Sequence, residues 1–205
     1  MKQEFIKRVV SSIILIPIAL FFVIKGSFFF DFFILICFIV TIYEWYMMSK
    51  NKPYNFPGFI FIIFSFYTVY YLRNEFYGDY IYFLMILVIC IFTDIGGYIF
   101  GRTFKGPKLT KISPNKTYSG MIGSFFLPLV LSYIFFNELN LSLNLLIIVI
   151  LISLLSQLGD FFISYLKRKA NIKDTGILLP GHGGLLDRMD GMLFAIPLGI
   201  MMVTI

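Results

Sequence analysis

The sequence has few charged residues. Only 14% of its 205 residues are Asp, Glu, Lys or Arg, whereas 59% are apolar and 20% are aromatic. A soluble domain carries about a quarter charged residues, so this deficit excludes an ordinary soluble domain and indicates an integral membrane protein. Cysteine is also scarce. Cys37 and Cys90 both lie within apolar segments, which favours simple packing over a disulfide or a pair of metal ligands.

The chain lacks a low-complexity linker and an internal repeat. We therefore expect a single membrane-embedded domain over residues 1–205, with amino-terminal helices in 1–92 and two polar loops in the second half, 93–205. No small-residue cleavage site follows the first apolar run, so we expect that run to be a retained helix and not a signal peptide.

The sequence contains long apolar runs along its whole length. A spanning helix requires about 20 apolar residues. The runs predict an all-α, polytopic membrane bundle of about seven transmembrane helices, near 9–24, 28–46, 56–72, 80–100, 121–136, 141–163 and 190–205.

The positive charge is distributed unevenly along these predicted helices. With seven spans and the amino terminus inside, all but Lys25 and Arg73 of the 17 Lys and Arg residues fall at cytoplasmic ends. This bias predicts the orientation, and it explains the net charge of +6 without a nucleic-acid partner. We expect a multi-pass membrane protein in contact with anionic lipids, with its two large polar loops facing the cytoplasm.

The first polar loop, Thr93–Gly120, carries weaker signals. Asp94 lies inside an apolar helix, where a carboxylate is expensive and usually faces a cavity or a partner. Gly97 and Gly101 share its helical face, so a plain helix contact remains the alternative. The turn 113–117, Ser-Pro-Asn-Lys-Thr, precedes a helix and suits phosphate, or is only a solvated turn.

The second polar stretch, Ser156–Asp190, is more informative. Its first part predicts a helix on which Ser156, Asp160, Ser164 and Lys167/Arg168 share one face. A loop over 171–184 follows. Asp187 and Asp190 are then three residues apart at the start of the last helix.

This stretch combines acidic, basic and glycine residues. Asp160, Asp187 and Asp190 offer the hard oxygen ligands that Mg²⁺ requires, and glycines beside His182 allow the backbone to approach a ligand. The cations that can neutralise phosphate oxygens are Lys167, Arg168, Lys173 and Arg188. Aspartates and cations together indicate a metal-bound polyphosphate at the membrane surface.

The same residues carry a family resemblance. Ser164-Tyr-Leu-Lys-Arg, Lys173-Asp174, Gly176 and the run Leu179-Pro-Gly-His-Gly-Gly-Leu-Leu-Asp-Arg-Met-Asp190 resemble the signature of the phosphatidate cytidylyltransferases, or CDP-diacylglycerol synthases. The stretch Thr93–Gly120 is similar to a looser second motif of that family. Ser119 departs from it, since family members commonly have glutamate there.

The resemblance implies transfer of CMP from CTP to phosphatidic acid, giving CDP-diacylglycerol and pyrophosphate. It implies a catalytic Mg²⁺ held by Asp160, Asp187 and Asp190, with room for a second metal ion such as K⁺, and a homodimer. The residues expected to stabilise charge during catalysis are Lys167, Arg168, Lys173 and Arg188, and those expected to bind substrate are Asp94, Ser113, Lys116, Ser164, His182, Gly183 and Gly184.

Several alternatives remain open at this point. His182 is either a hydrogen-bond donor or a general base, and Asp174 is either a ligand or a partner of Lys173. The chain as a whole could instead be a CTP-dependent lipid-alcohol kinase or a small transporter that uses the aspartates as an ion path. A transporter would be expected to carry charges through several spans, yet the predicted first, third and fifth spans have no ionised residue in their middles.

Overall fold

A computed structural model describes residues 16–75, 80–110, 113, 116–136, 143–178 and 183–200. Over these residues the chain is helical, and its only extended pairing is an isolated bridge between Lys108 and Thr117. The helices are α1 (Ile16–Lys25), α2 (Ser27–Ser49), α3 (Asn55–Tyr70, continued by a π-helical turn, Tyr71–Glu75), α4 (Ile81–Phe104), α5 (Tyr118–Phe136), α6 (Leu143–Lys169) and α7 (Leu186–Leu198).

The prediction of an all-α membrane protein is confirmed. Among the residues that the structure describes, four helices are long and apolar enough to cross a membrane, namely Ser27–Ser49, Asn55–Asn74, Ile81–Phe104 and Leu145–Lys169, and two shorter apolar helices are Ile16–Lys25 and Tyr118–Ile134. Each of the seven predicted segments coincides with one of the helices. Residues 9–15 and 201–205 of the outer segments lie outside the described residues.

Helix α6 extends beyond its apolar run. It ends at Lys169, so the predicted helix from Ser156 to Arg168 is confirmed, and three cations, Lys167, Arg168 and Lys169, occupy its last turn. Cations are favourable there because the carbonyl end of a helix carries partial negative charge.

The chain divides into two compact units. Unit 1 comprises Met1–Tyr80 and Lys167–Asp190, and unit 2 comprises Ile81–Leu166 and Gly191–Ile205. In unit 1, α2 and α3 are joined by a hydrogen bond from the Trp45 indole Nε1 to the Asn55 carbonyl oxygen, at 3.0 Å. Gly58 lies against the Trp45 ring, where a Cβ atom would clash.

In unit 2, α4 and α5 pack through glycines. A Cβ atom on Gly96 would clash with the carbonyl oxygen of Gly123, and one on Gly97 would lie 2.5 Å from the Ser124 hydroxyl. The small residues therefore allow the two backbones to approach closely, as small residues do in membrane helices. Gly101 lies beside Thr117 and Gly120, so the predicted small-residue strip of Gly97 and Gly101 does form a helix contact, and the role of Asp94 stays a prediction.

Candidate functional site: two clusters of carboxylates and lysines

Unit 1 contains a buried cluster at the start of α7, which we call the α7 cluster: Glu44, Lys167, Thr175, Gly184, Asp187 and Asp190. At its centre the Lys167 ammonium nitrogen donates to Asp187 Oδ1 at 2.7 Å and lies 4.0 Å from Asp190 Oδ2. Lys167 is only 8% exposed. The prediction that Asp187 and Asp190 start the last helix and point the same way is therefore confirmed, because both face one lysine.

Asp187 also organises the preceding loop. Its second oxygen, Oδ2, accepts hydrogen bonds from the backbone N–H groups of Thr175 at 2.8 Å and Gly184 at 2.9 Å. Burial acts to raise the pKa of Asp187, but the hydrogen bonds from Lys167, Gly184 and Thr175 and the positive charge of Lys167 outweigh it. The pKa therefore lies below the ordinary value of 3.8.

Gly183 is required by the turn that leads to Asp187. Its φ is +85°, in the region that favours glycine. A Cβ atom there would lie 2.7 Å from Asp187 Oδ2 and 3.2 Å from Asp174 Cβ. The backbone at Gly183 and Gly184 lies close to the Asp187 carboxylate. The predicted close approach of these glycines to a ligand stays a prediction.

Sequence reasoning missed two members of this cluster, Thr175 and Glu44, and Glu44 is the one that lies far outside the motif. It lies in the apolar helix α2, is 4% exposed, and accepts hydrogen bonds from Thr175 Oγ1 at 3.0 Å, Leu185 N at 2.9 Å and Leu186 N at 2.8 Å. The signal was available, because an acidic residue within an apolar helix is expensive unless it is paired. That rule was applied to Asp94 and not to Glu44.

Unit 2 contains a second cluster, which we call the Lys116 cluster: Lys116, Asp160, Phe161 and Ser164. The Lys116 ammonium nitrogen donates to Asp160 Oδ2 at 2.5 Å and lies 3.9 Å from the centre of the Phe161 ring. Ser164 Oγ donates to Asp160 Oδ1 at 3.2 Å. Ser113 belongs to the turn that carries this lysine, since its carbonyl accepts the Lys116 backbone N–H at 3.1 Å.

Most of the remaining predicted site residues lie at the protein surface. Lys173, Asp174 and Arg188 are exposed, as is Asp94 in α4. Arg168 is also exposed, and its guanidinium donates to the Ile172 carbonyl oxygen at 3.1 Å. His182 lies outside the described residues, so its two alternative roles stay as predicted.

The α7 cluster fits a hard divalent cation. Mg²⁺ is usually held by one or two carboxylates and completed by water and substrate phosphates, and Asp187 with Asp190 is such a pair. Across the residues that the structure describes, no three His, Cys, Asp or Glu side chains are grouped around one metal position. The third ligand predicted from sequence, Asp160, stays a prediction.

The comparisons with known proteins agree with these motifs. The model of the cytidylyltransferase family matches residues 6–81 and 59–205. A phosphatidate cytidylyltransferase of Rickettsia felis is 37% identical over 216 residues, which cover 96% of this chain and 91% of that protein.

Two staphylococcal proteins are similar over a shorter region. The phosphatidate cytidylyltransferase of Staphylococcus haemolyticus is 45% identical to this chain over 121 residues, and that of Staphylococcus saprophyticus is 45% identical over 123 residues. Each alignment covers 57% of this chain and 46% of the relative.

Proposed function

Because the chain belongs to the cytidylyltransferase family, we propose that it transfers CMP from CTP to phosphatidic acid, giving CDP-diacylglycerol and pyrophosphate. The observation that carries this proposal is the α7 cluster. It places two carboxylates and a buried lysine at the start of a helix, with exposed cations, Lys173 and Arg188, in the adjoining sequence.

The reaction needs no strong base. The nucleophile is a phosphate monoester, whose second pKa is about 6, so it is already anionic near neutral pH. Its oxygen forms a bond to the α-phosphorus of CTP as the bond to the pyrophosphate oxygen breaks, and pyrophosphate leaves with that electron pair. The difficulty is to bring two polyanions together, so positioning and electrostatic stabilisation account for most of the catalysis.

Different residues of the chain contribute to positioning and to electrostatic stabilisation. Lys173, Arg168 and Arg188 are exposed and can reach phosphate oxygens, and arginine can grip two of them at once. Lys167 holds Asp187 and Asp190 in place, and its charge limits the repulsion between these carboxylates and an incoming triphosphate. Asp94, Ser113, Lys116, Ser164, His182, Gly183 and Gly184 are proposed to bind substrate.

We propose Mg²⁺ as the cofactor, held by Asp187 and Asp190, with Asp160 as the further ligand predicted from sequence and a second ion such as K⁺ beside it. When bound, the cation would neutralise charge on the phosphates of CTP. The proposal also includes a homodimer in the bacterial inner membrane, with the active site facing the cytoplasm. The uneven distribution of lysine and arginine supports that orientation.

The decisive experiment uses CTP labelled in either the α- or the γ-phosphate, with purified protein, phosphatidate and Mg²⁺. Transfer of CMP predicts that the α-label enters the lipid and that the γ-label leaves as pyrophosphate. Entry of the γ-label into a lipid alcohol would instead identify a lipid kinase. No label in lipid from either nucleotide would contradict both enzyme assignments.

A further inference from the structure

We propose that Glu44 is a positioning residue for the reaction. Through hydrogen bonds from α2, it fixes the loop after α6 and the first turn of α7, and so sets the orientation of Asp187 and Asp190. The catalytic consequence of this inference rests on the proposed CMP transfer.

The first support is the set of hydrogen bonds that Glu44 accepts. Two of its three donors are the backbone N–H groups of Leu185 and Leu186, at 2.9 and 2.8 Å, where α7 begins. The first N–H groups of a helix have no partner within the helix. A carboxylate satisfies them and is favoured by the partial positive charge at that end. Glu44 therefore caps α7 from another helix.

The second support is that Glu44 and Asp187 accept hydrogen bonds from the same residue, Thr175, and from two consecutive residues, Gly184 and Leu185. Thr175 gives its side-chain hydroxyl to Glu44 and its backbone N–H to Asp187. Gly184 gives its backbone N–H to Asp187, and the next residue, Leu185, gives its own to Glu44. The segment that carries Asp187 is thus held between two carboxylates, so a shift at Glu44 would also move the donors of Asp187.

The third support is the space around the Glu44 carboxylate. A Cβ atom on Gly176 would lie 2.7 Å from Glu44 Oε1, and one on Gly184 would clash with Glu44 Oε2. A larger residue at either position would therefore have to displace this carboxylate. Two glycines of the sequence motif thus serve a contact with a residue far outside the motif.

The position of Glu44 relative to the charged groups distinguishes it from a catalytic residue. Its described partners are Thr175 and the α7 backbone, whereas Lys167 pairs with Asp187 and Asp190. Loss of a group that only orients functional carboxylates typically costs about 10- to 100-fold in activity. We expect that loss in kcat, with the KM values for CTP and phosphatidate changing less than about threefold.

The test compares the full-length wild type with Glu44→Gln, Thr175→Val and the double variant, all purified in detergent. Asp31→Asn is the matched control, because Asp31 lies in the same helix but is exposed, and its described hydrogen bond comes from the Asn74 side chain at the surface. Glu44→Gln should lower kcat about 10- to 100-fold. The double variant should be within about threefold of Glu44→Gln, since the Thr175 hydroxyl acts through Glu44. Asp31→Asn should keep its kcat.

Hydrogen exchange supplies a readout that does not depend on catalysis. In Glu44→Gln the amides of Leu185 and Leu186 should exchange about tenfold faster, while the amides of α3 stay unchanged. If Glu44→Gln fails to purify, Thr175→Val should show a smaller change in the same amides and in kcat. An unchanged kcat, with or without faster exchange, would overturn the positioning role. If even the wild type makes no CDP-lipid, the proposed function has failed, and exchange still decides whether Glu44 holds the start of α7.

Discussion

The ion pair between Lys167 and Asp187 allows a sharp prediction of stability. The two side chains are 10% and 4% exposed, and their charged atoms are 2.7 Å apart. Replacing Lys167 with methionine keeps a side chain of similar length but leaves the buried Asp187 carboxylate without its cation. Removing one partner of a buried ion pair costs about 3–5 kcal/mol. In a protein of this size, 1 kcal/mol shifts the midpoint of thermal unfolding by about 2–4 °C, so we expect Lys167→Met to lower it by roughly 6–20 °C.

The assay follows thermal unfolding of the detergent-solubilised protein at pH 7, for example by the fraction that stays monodisperse after heating. Lys169→Met is the matched control, because Lys169 ends the same helix but is exposed and lies 5.6 Å from the Tyr54 ring centre. An exposed contact of this kind contributes only about 0.5–1 kcal/mol. The double variant Lys167→Met with Asp187→Asn should recover part of the loss, since it leaves no unpaired charge at Asp187. Equal destabilisation by Lys167→Met and Lys169→Met would refute the reasoning.

The same pair has a predictable dependence on pH. The pKa of Asp187 is lower in the folded protein than its ordinary value of 3.8. The ionised form therefore stabilises the fold fully above about pH 4, and this contribution is lost as the pH falls through the lowered pKa. Because Lys167→Met removes the main group that lowers this pKa, the variant should lose less stability between pH 5 and 3 than the wild type. A steeper loss in the variant would contradict the assignment of Lys167 as the cause.

Two further predictions concern single substitutions. Asp190→Asn should lower kcat by more than about 100-fold while the protein still purifies, because it removes a carboxylate proposed to hold the Mg²⁺ that neutralises the phosphates of CTP. A kcat within threefold of the wild-type value, measured beside Asp31→Asn, would contradict that role. Gly123→Ala should lower the thermal midpoint by roughly 2–12 °C, because the added methyl group would clash with Phe100 and overpacking costs about 1–3 kcal/mol. Gly101→Ala should lower it less, since the nearest atom is the Thr117 hydroxyl at 3.1 Å.

Local patterns in the sequence predicted the elements of the fold well. Apolar runs located the helices α1 to α7 of the described residues, and the spacing of Asp187 and Asp190 correctly placed both at the start of α7. These features depend on residues close together in the chain, where helical periodicity determines which side chains share a face. The same reasoning predicted that α6 continues past its apolar part, and it ends at Lys169.

The partners of the charged residues could not be predicted in this way. The sequence assigned Lys116 and Lys167 to phosphate oxygens, whereas the structure places them against Asp160 and Asp187. Composition shows only that anions and cations occur together. Which cation meets which carboxylate depends on how the loops fold. A lysine paired with a carboxylate holds its charge at a fixed position, where it reduces the repulsion between that carboxylate and an incoming triphosphate.

An acidic residue in an apolar helix is costly unless it is paired, and the structure shows which residues pair with Glu44. Glu44 and Asp94 are both acidic residues in apolar helices, yet Asp94 is exposed and Glu44 is almost fully buried. Burial is tolerated because backbone donors 141 and 142 residues away meet the Glu44 carboxylate. The glycines that make room for it, Gly176 and Gly184, lie within the sequence motif, while Glu44 lies outside it. The spacing of that motif therefore reflects the shape of a loop folded around a carboxylate of α2, as well as the chemistry of its own aspartates.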